Sequence, residues 1–259
     1  MYFCHIINHQ LITMKNVAIF IYGTIAYIIF LGAFLYAIGF VGNLWVPKTI
    51  DSGNPPSLLV GVVTNLSILS IFALQHSIMA RPAFKRWFTR IVNPAMERST
   101  YVLLSSLALF LIYWQWQPLT TVVWEVTQPF WANVLIGLYF LGWLIVLLST
   151  FMINHFELFG LKQIYYNLKQ RPTQPTKFQS SYLYKIVRHP IMLGFLIAFW
   201  AAPVMTVGHL LFTVVTTLYI LIAVKFLEER DLRKSIGAPY VAYQEEVPML
   251  IPFTKSKPR

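Results

Sequence analysis

A chain of 259 residues that is 57% hydrophobic and 11% charged lies far from the roughly 25% charged composition of soluble domains, which excludes an ordinary water-soluble fold. Its one cysteine, Cys4, excludes a disulfide scaffold. The net charge of +11 raises nucleic acid as a partner only until the positions of the charges are read.

Those charges sit between apolar runs. Residues 16–47, 52–80, 99–124, 126–156 and 189–224 contain no Asp, Glu, Lys or Arg. Each run reaches the roughly 20 residues that cross about 30 Å of hydrocarbon at about 1.5 Å per residue. The first predicts a helix over about 17–40, ending at Gly42-Asn43. Lys15 ahead of an apolar run imitates a secretion signal, but the run outlasts a signal's short apolar segment, so the helix is expected to be retained, with Met1 or Met14 as the start. Further helices are predicted over 57–79 after Pro55-Pro56, 99–117 before Pro118, and 131–153 after Pro129. The fifth run would make a single helix about 54 Å long, and Pro203 and Gly208 interrupt it. It predicts a helical hairpin, 190–202 and 208–226, whose short first arm leaves room for a cavity near one surface.

The basic residues support the hairpin. Lys15 precedes the first helix, and Arg81, Lys85, Arg86, Arg90 and Arg98 lie between the second and third. Lys162, Lys169, Arg171, Lys177, Lys185 and Arg188 lie between the fourth helix and the hairpin, and seven more run from Lys225 to Arg259. Six crossings put all of these on one face and leave only Lys48 opposite. The positive-inside rule assigns the basic face, with both termini, to the cytoplasmic side of a bacterial inner membrane. Topology and membrane lipid then account for the charge, and nucleic-acid binding is not expected. The expected fold is an all-α integral membrane protein of about five to six transmembrane helices, with a C-terminal helical hairpin and a cytosolic cofactor-binding tail. Residues 1–160 carry the first four helices and a basic loop at 80–98; residues 161–259 form the second region.

Polar side chains with chemical potential gather at the basic ends of the helices. Gln75 and His76 close the second, Glu97 and Arg98 open the third, and Asn154, His155 and Glu157 close the fourth. Arg188 and His189 open the hairpin, and Glu228 and Glu229 close it. Any one of them reads as an interfacial anchor; together they form a layer of acids, bases and imidazoles. Apart from His5 and His9, four residues apart near the N-terminus, the histidines show no pair at metal-ligand spacing, and no metal site is expected. Gly-rich phosphate loops and Gly-x-Ser-x-Gly elbows are also missing from the sequence.

The last third reads Arg188-His189-Pro190-Ile191-Met192-Leu193-Gly194, the apolar hairpin, Glu228-Glu229-Arg230-Asp231-Leu232, Gly237-Ala238-Pro239-Tyr240, Tyr243, and Val247-Pro248-Met249-Leu250-Ile251-Pro252. This order resembles the isoprenylcysteine carboxyl methyltransferase family, except that Met192 stands where that family usually has Tyr. Gln75-His76-Ser77, Glu97-Arg98-Ser99-Thr100-Tyr101, Trp114-Gln115-Trp116 and the stretch from Asn154 to Gln163 are similar to a narrower group, the bacterial methanethiol S-methyltransferases, relatives of the NnrU proteins. The resemblance implies methyl transfer from S-adenosylmethionine to methanethiol, a small volatile thiol, giving dimethyl sulfide.

That cofactor carries a sulfonium cation, a carboxylate and an adenine. Its site is expected at Arg188, as a fork for the carboxylate, and at His189, Pro190 and Gly194 around a helix start. Glu228 and Glu229 are expected to supply negative charge, and Tyr240 and Tyr243 to flank the ring or the sulfonium. Pro248 and Pro252 read as a lipid-surface loop. Thiol methylation needs a thiolate and a dry pocket. His155 is the first candidate base, with Glu157 orienting it or acting alone, and Arg98 and His76 are second candidates for stabilising the thiolate. Tyr113, Trp114 and Trp116 read as an interfacial aromatic belt. Three other readings stay open: a methyltransferase for a larger lipid or prenylated acceptor, a nicotinamide-dependent membrane reductase, and a non-enzymatic assembly or sensing protein.

Overall fold

A computed structural model describes residues 2–172 and 180–254, with side chains from Thr13 onward; Lys177 and the basic tail 255–259 lie outside the described residues. The chain is an all-α integral membrane protein, and its described residues hold five helices long and apolar enough to cross a membrane. They are α1 (Tyr2–Gly42), α2 (Leu58–Ala80), α4 (Pro94–Gln115), α5 (Pro129–Ile153) and α9 (Val207–Ile222), the last continuing as helix to Ile236. Between α2 and α4 lies the short α3 (Pro82–Phe88). α6 (His155–Leu158) and α7 (Leu161–Leu168) follow α5, and α10 (Glu229–Ile236) and α11 (Ala238–Glu246) close the described chain. Outward-facing Ile21, Ile25, Ile28 and Leu35 on α1 are exposed, an apolar outer surface suited to lipid rather than water.

The helix starts differ from the sequence expectation for a physical reason. Proline lacks an N–H and holds a helical φ, so it suits the first helical position. Pro94 and Pro129 therefore open α4 and α5 instead of preceding them, with the Asn93 side chain accepting from Ala95 N–H at 2.9 Å and Gln128 accepting from Trp131 N–H at 2.9 Å. α1 likewise begins well before residue 17, because neither Lys15 nor Asn16 interrupts it.

The hairpin's first arm is α8 (Pro190–Trp200), 11 residues and so only about 16 Å long. Beyond it, β2 (Val204–Thr206) pairs antiparallel with β1 (Val122–Glu125), Val122 opposite Thr206. This ribbon of β-branched residues was not expected from the sequence. It places the hairpin's turn at the same end of the molecule as the α4–α5 connection. Trp116, a predicted belt residue, is instead fully buried there, its Nε1 donating to the Ile50 carbonyl at 2.9 Å.

At the opposite end the basic segments meet. Arg81 pairs with Asp231 at 2.8 Å, Arg98 Nε donates to the Leu158 carbonyl at 2.6 Å, and Asn167 bonds Asn16 at 3.1 Å. The described basic segments thus share one face, as the charge count anticipated.

α5 and α8 cross at their glycines, so the stretches before and after residue 160 share one core. A Cβ on Gly194 would lie 2.6 Å from the Gly142 carbonyl oxygen and 2.9 Å from Val146 N. Gly194, expected at the cofactor, is therefore a packing residue. Gly194→Ala is expected to force the backbones apart and cost about 1–3 kcal/mol, read as a lower thermal unfolding midpoint in detergent; an unchanged midpoint would contradict this close approach.

Candidate functional site

α9 does not pass smoothly into α10. From Ala223 to Glu228 the backbone widens into a π-helical turn, a local insertion often found at functional positions. Two adjacent glutamates leave this turn in different surroundings: the Glu229 side chain is 4% exposed and that of Glu228 43%.

Glu229 is saturated with donors. Arg188 meets it with a fork, Nε to Oε1 at 2.9 Å and Nη2 to Oε2 at 3.0 Å. His189 Nε2 lies 2.6 Å from Oε1, the Tyr240 hydroxyl donates to Oε1 at 3.0 Å, and Gln244 Nε2 donates to Oε2. Arg188 uses Nη1 on the Gln244 and Val247 carbonyls, and the backbone N–H groups of Arg188 and His189 donate to the carbonyls of Pro248 and Met249 at 2.9 and 3.2 Å. Two segments distant in sequence, 188–189 and 240–244, thus converge on one buried carboxylate. Two expectations are corrected. The Arg188 fork is engaged by Glu229 rather than open to a cofactor carboxylate, and Pro248 belongs to this junction rather than to a lipid-surface loop. Pro190 is buried as the first residue of α8, and Met192 packs toward Ile220, Val224 and Leu250.

Three phenols line the same junction as neutral donors. Burial, then the charge of Glu228, raises the Tyr184 hydroxyl above the ordinary tyrosine range; burial, then the charge of Glu229, does the same for Tyr240. Tyr243, which donates to the Tyr184 carbonyl, is pushed up to about 12, chiefly by burial.

Glu228 is the open carboxylate. It lies 3.6 Å from His189 Nδ1, at the end of the molecule where the Ser77–Tyr219 and Arg81–Asp231 contacts tie α2 and the α2–α3 junction to α9 and α10. On that side Tyr101 bonds His76 Nε2 at 2.9 Å, Ser105 Oγ lies 3.3 Å from His76 Nδ1, and the Arg98 guanidinium sits 5.2 Å from the Tyr101 ring centre. Ser77 bonds Tyr219 at 2.9 Å. Lys85 completes the cationic side; burial, then Arg98, holds its ammonium below the ordinary lysine range. The structure therefore joins Arg188, His189, Glu228, Glu229, Tyr240 and Tyr243 at one junction, with Tyr184 and Gln244 added, and gathers His76, Arg98 and Tyr101 in a second cluster that the Ser77–Tyr219 and Arg81–Asp231 contacts bring to the same end. Tyr101 stood inside a motif already singled out. Tyr184, at i−4 from Arg188, carried only a weak signal.

His155 and Glu157 stand elsewhere. His155 is buried, stacked at 4.3 Å on Phe151, with Tyr27 OH 2.8 Å from Nε2 and Thr150 Oγ1 2.8 Å from Nδ1. The Thr150 hydroxyl donates its proton to the Leu147 carbonyl at 2.7 Å, so Nδ1 carries the ring proton and Nε2 accepts from Tyr27. Glu157 bonds Asn154 at 2.9 Å and Lys162 at 2.7 Å. The expectation that Glu157 orients the His155 ring is corrected, because Tyr27 and Thr150 occupy both ring nitrogens.

The sequence pattern described as NnrU protein matches residues 66–246, from within α2 to the end of α11, and so takes in both groups of residues. The chain belongs to the NnrU family. A methanethiol S-methyltransferase of Mycobacterium tuberculosis is 54% identical over 240 residues, covering 93% of this chain and 98% of its own. A methanethiol S-methyltransferase of Crocosphaera subtropica is 47% identical over 244 residues, covering 94% and 95%. Nurim of Mus musculus is 32% identical over 185 residues, covering 68% and 70%. No solved structure matches.

In this NnrU-family chain the His155 ring is held below the ordinary imidazole range by burial. The folded ring stays neutral while the unfolded ring takes a proton below about pH 6.5, so the unfolded state binds more protons and acid destabilises the fold. The stability tied to this ring is full above about pH 6.5 and is lost as pH falls toward the lower folded value. The unfolding midpoint is expected to drop less between pH 7.5 and 5.5 in His155→Gln than in the parent; equal drops would contradict it.

Proposed function

We propose that this protein is a membrane-bound S-adenosylmethionine-dependent methyltransferase that converts methanethiol to dimethyl sulfide. The close and nearly full-length identity to methanethiol S-methyltransferases carries the reading. The donor set supports it: an open carboxylate, Glu228, faces neutral phenols, while Arg98, Arg81 and Lys85 supply cations on the α2–α4 side. These charges fit a ligand bearing both a cation and a carboxylate. S-adenosylmethionine, when bound, supplies an electrophilic methyl group on a sulfonium.

The chain's own residues have distinct tasks in this reading. Glu228 holds the ligand's positive end, and Arg98, with Arg81 and Lys85 near it, holds the carboxylate end. Arg188, His189, Tyr240 and Gln244 fix Glu229, which anchors α10 and thereby sets where Glu228 stands. His76, held by Tyr101 and Ser105, takes the thiol proton and leaves a sulfur nucleophile. Residues 161–259 carry Glu228 and the junction that sets it, and residues 1–160 carry the cations for the ligand's carboxylate and the base for the thiol. The protein lies in the cell membrane, and the basic face with its site and both termini is cytoplasmic.

Membranes containing the chain, given methanethiol and S-adenosylmethionine, are expected to release dimethyl sulfide detectable by headspace gas chromatography. Activity confined to prenylated or long-chain thiols would replace the acceptor, and no methylation of any thiol would overturn the reading. His76→Phe is expected to lower the rate by about 100-fold or more, the usual worth of a general base. His155→Phe is expected to stay within a few-fold of the parent; the reverse ranking would return the base to His155.

A further inference from the structure

Gln75 lies on α2 beside His76. Its Nε2 donates to Ser105 Oγ at 3.3 Å and to Met79 Sδ at 3.2 Å. Its Oε1 is fully buried and has no hydrogen-bond partner among the described residues. Folds rarely keep a buried acceptor without a donor, because it has surrendered its hydration for nothing. Ser105 ties the two side chains together, standing 3.3 Å from both Gln75 Nε2 and His76 Nδ1. Met79, which Gln75 touches, packs with Tyr101 and Val102, and Phe72 is stacked 5.2 Å from His76.

We propose that Gln75 Oε1 binds the S–H group of the thiol acceptor and so helps to select a thiol substrate. The inference rests on the functional reading above and extends it to the acceptor. A thiol offers one weak donor on a soft, largely apolar body. The site answers with one unpaired acceptor, a thioether sulfur and aromatic faces. Water or an alcohol would bring more polar capacity than these neighbours can meet. The contact holds the neutral thiol beside the imidazole; its one proton then turns from Oε1 to the imidazole as the sulfur becomes nucleophilic, so Gln75 orients the acceptor and does not take its proton.

The test compares purified parent, Gln75→Leu and Gln75→Met in detergent, with methanethiol and S-adenosylmethionine each varied. Both variants remove the lone acceptor and keep the volume, so unfolding midpoints are expected to be unchanged or higher. The KM for methanethiol is expected to rise about five- to tenfold, the worth of one modest hydrogen bond, while calorimetric S-adenosylmethionine affinity stays within about twofold. A rise in only one variant, an unchanged thiol KM in folded protein, or a loss confined to S-adenosylmethionine binding would overturn the assignment. A parent that methylates no thiol would overturn the functional reading itself, and this inference with it.

Discussion

Arg188→Met is expected to destabilise the protein by about 3–5 kcal/mol, because it strips a buried carboxylate of its fork while leaving that carboxylate in place. Glu229 then keeps His189, Tyr240 and Gln244 as donors but no obligate cation. The loss should spread beyond the pair, since Arg188 also binds the carbonyls of Gln244 and Val247 and so holds the end of α11. The double change Arg188→Met/Glu229→Leu removes the stranded charge together with its partner, and is expected to be more stable than the single change. A double-mutant cycle on thermal unfolding in detergent measures this coupling. Additive effects, or a double variant less stable than Arg188→Met alone, would contradict a mainly structural role for the pair. Both variants should still lose most methylation, because Glu228 is set in place by the helix that Glu229 anchors.

Glu228→Gln is expected to do the opposite, leaving the fold intact and damaging binding. The side chain is nearly half exposed, and the His189 ring nitrogen beside it is 3.6 Å away, so stability has little to lose. Removing one carboxylate from a cationic ligand forfeits a charge-assisted contact worth about 1.5–3 kcal/mol, which corresponds to roughly 10- to 150-fold in affinity. Calorimetry with S-adenosylmethionine on folded Glu228→Gln reads this directly. A Kd within about twofold of the parent would remove Glu228 from the site. The contrast between the two neighbours is the informative part: Glu229 should behave as a structural anion and Glu228 as a ligand anion, although sequence alone makes them equivalent.

Much of the architecture is written in composition. Charge-free runs locate the spans, and the positions of Lys and Arg place their ends on one face, because hydrocarbon length and charge exclusion act on sequence directly. The short hairpin arm was legible from Pro203 and Gly208. The β1–β2 ribbon was not, since three or four β-branched residues beside a span look no different from the span itself. The site was legible as a layer and not as a set of contacts. Motif order brought Arg188, His189, Glu228, Glu229, Tyr240 and Tyr243 together, but which glutamate is saturated depends on a π-helical turn at 223–228 that no local residue pattern announces. The partners of His155 were hidden for a related reason: proximity to Glu157 in sequence says nothing of Tyr27, which reaches its ring from α1. Gly194 looked like part of a ligand-binding turn and is a helix crossing, because the absence of a side chain serves either purpose.

The central claim, methyl transfer to a thiol at the Glu228 side of the junction, is tested most directly with purified protein, methanethiol and S-adenosylmethionine carrying a trideuterated methyl group. Mass spectrometry of the headspace should show dimethyl sulfide three mass units heavy from the parent and about tenfold less or lower from Glu228→Gln at limiting cofactor. Unlabelled dimethyl sulfide, no dimethyl sulfide, or equal labelled product from both proteins would contradict the account.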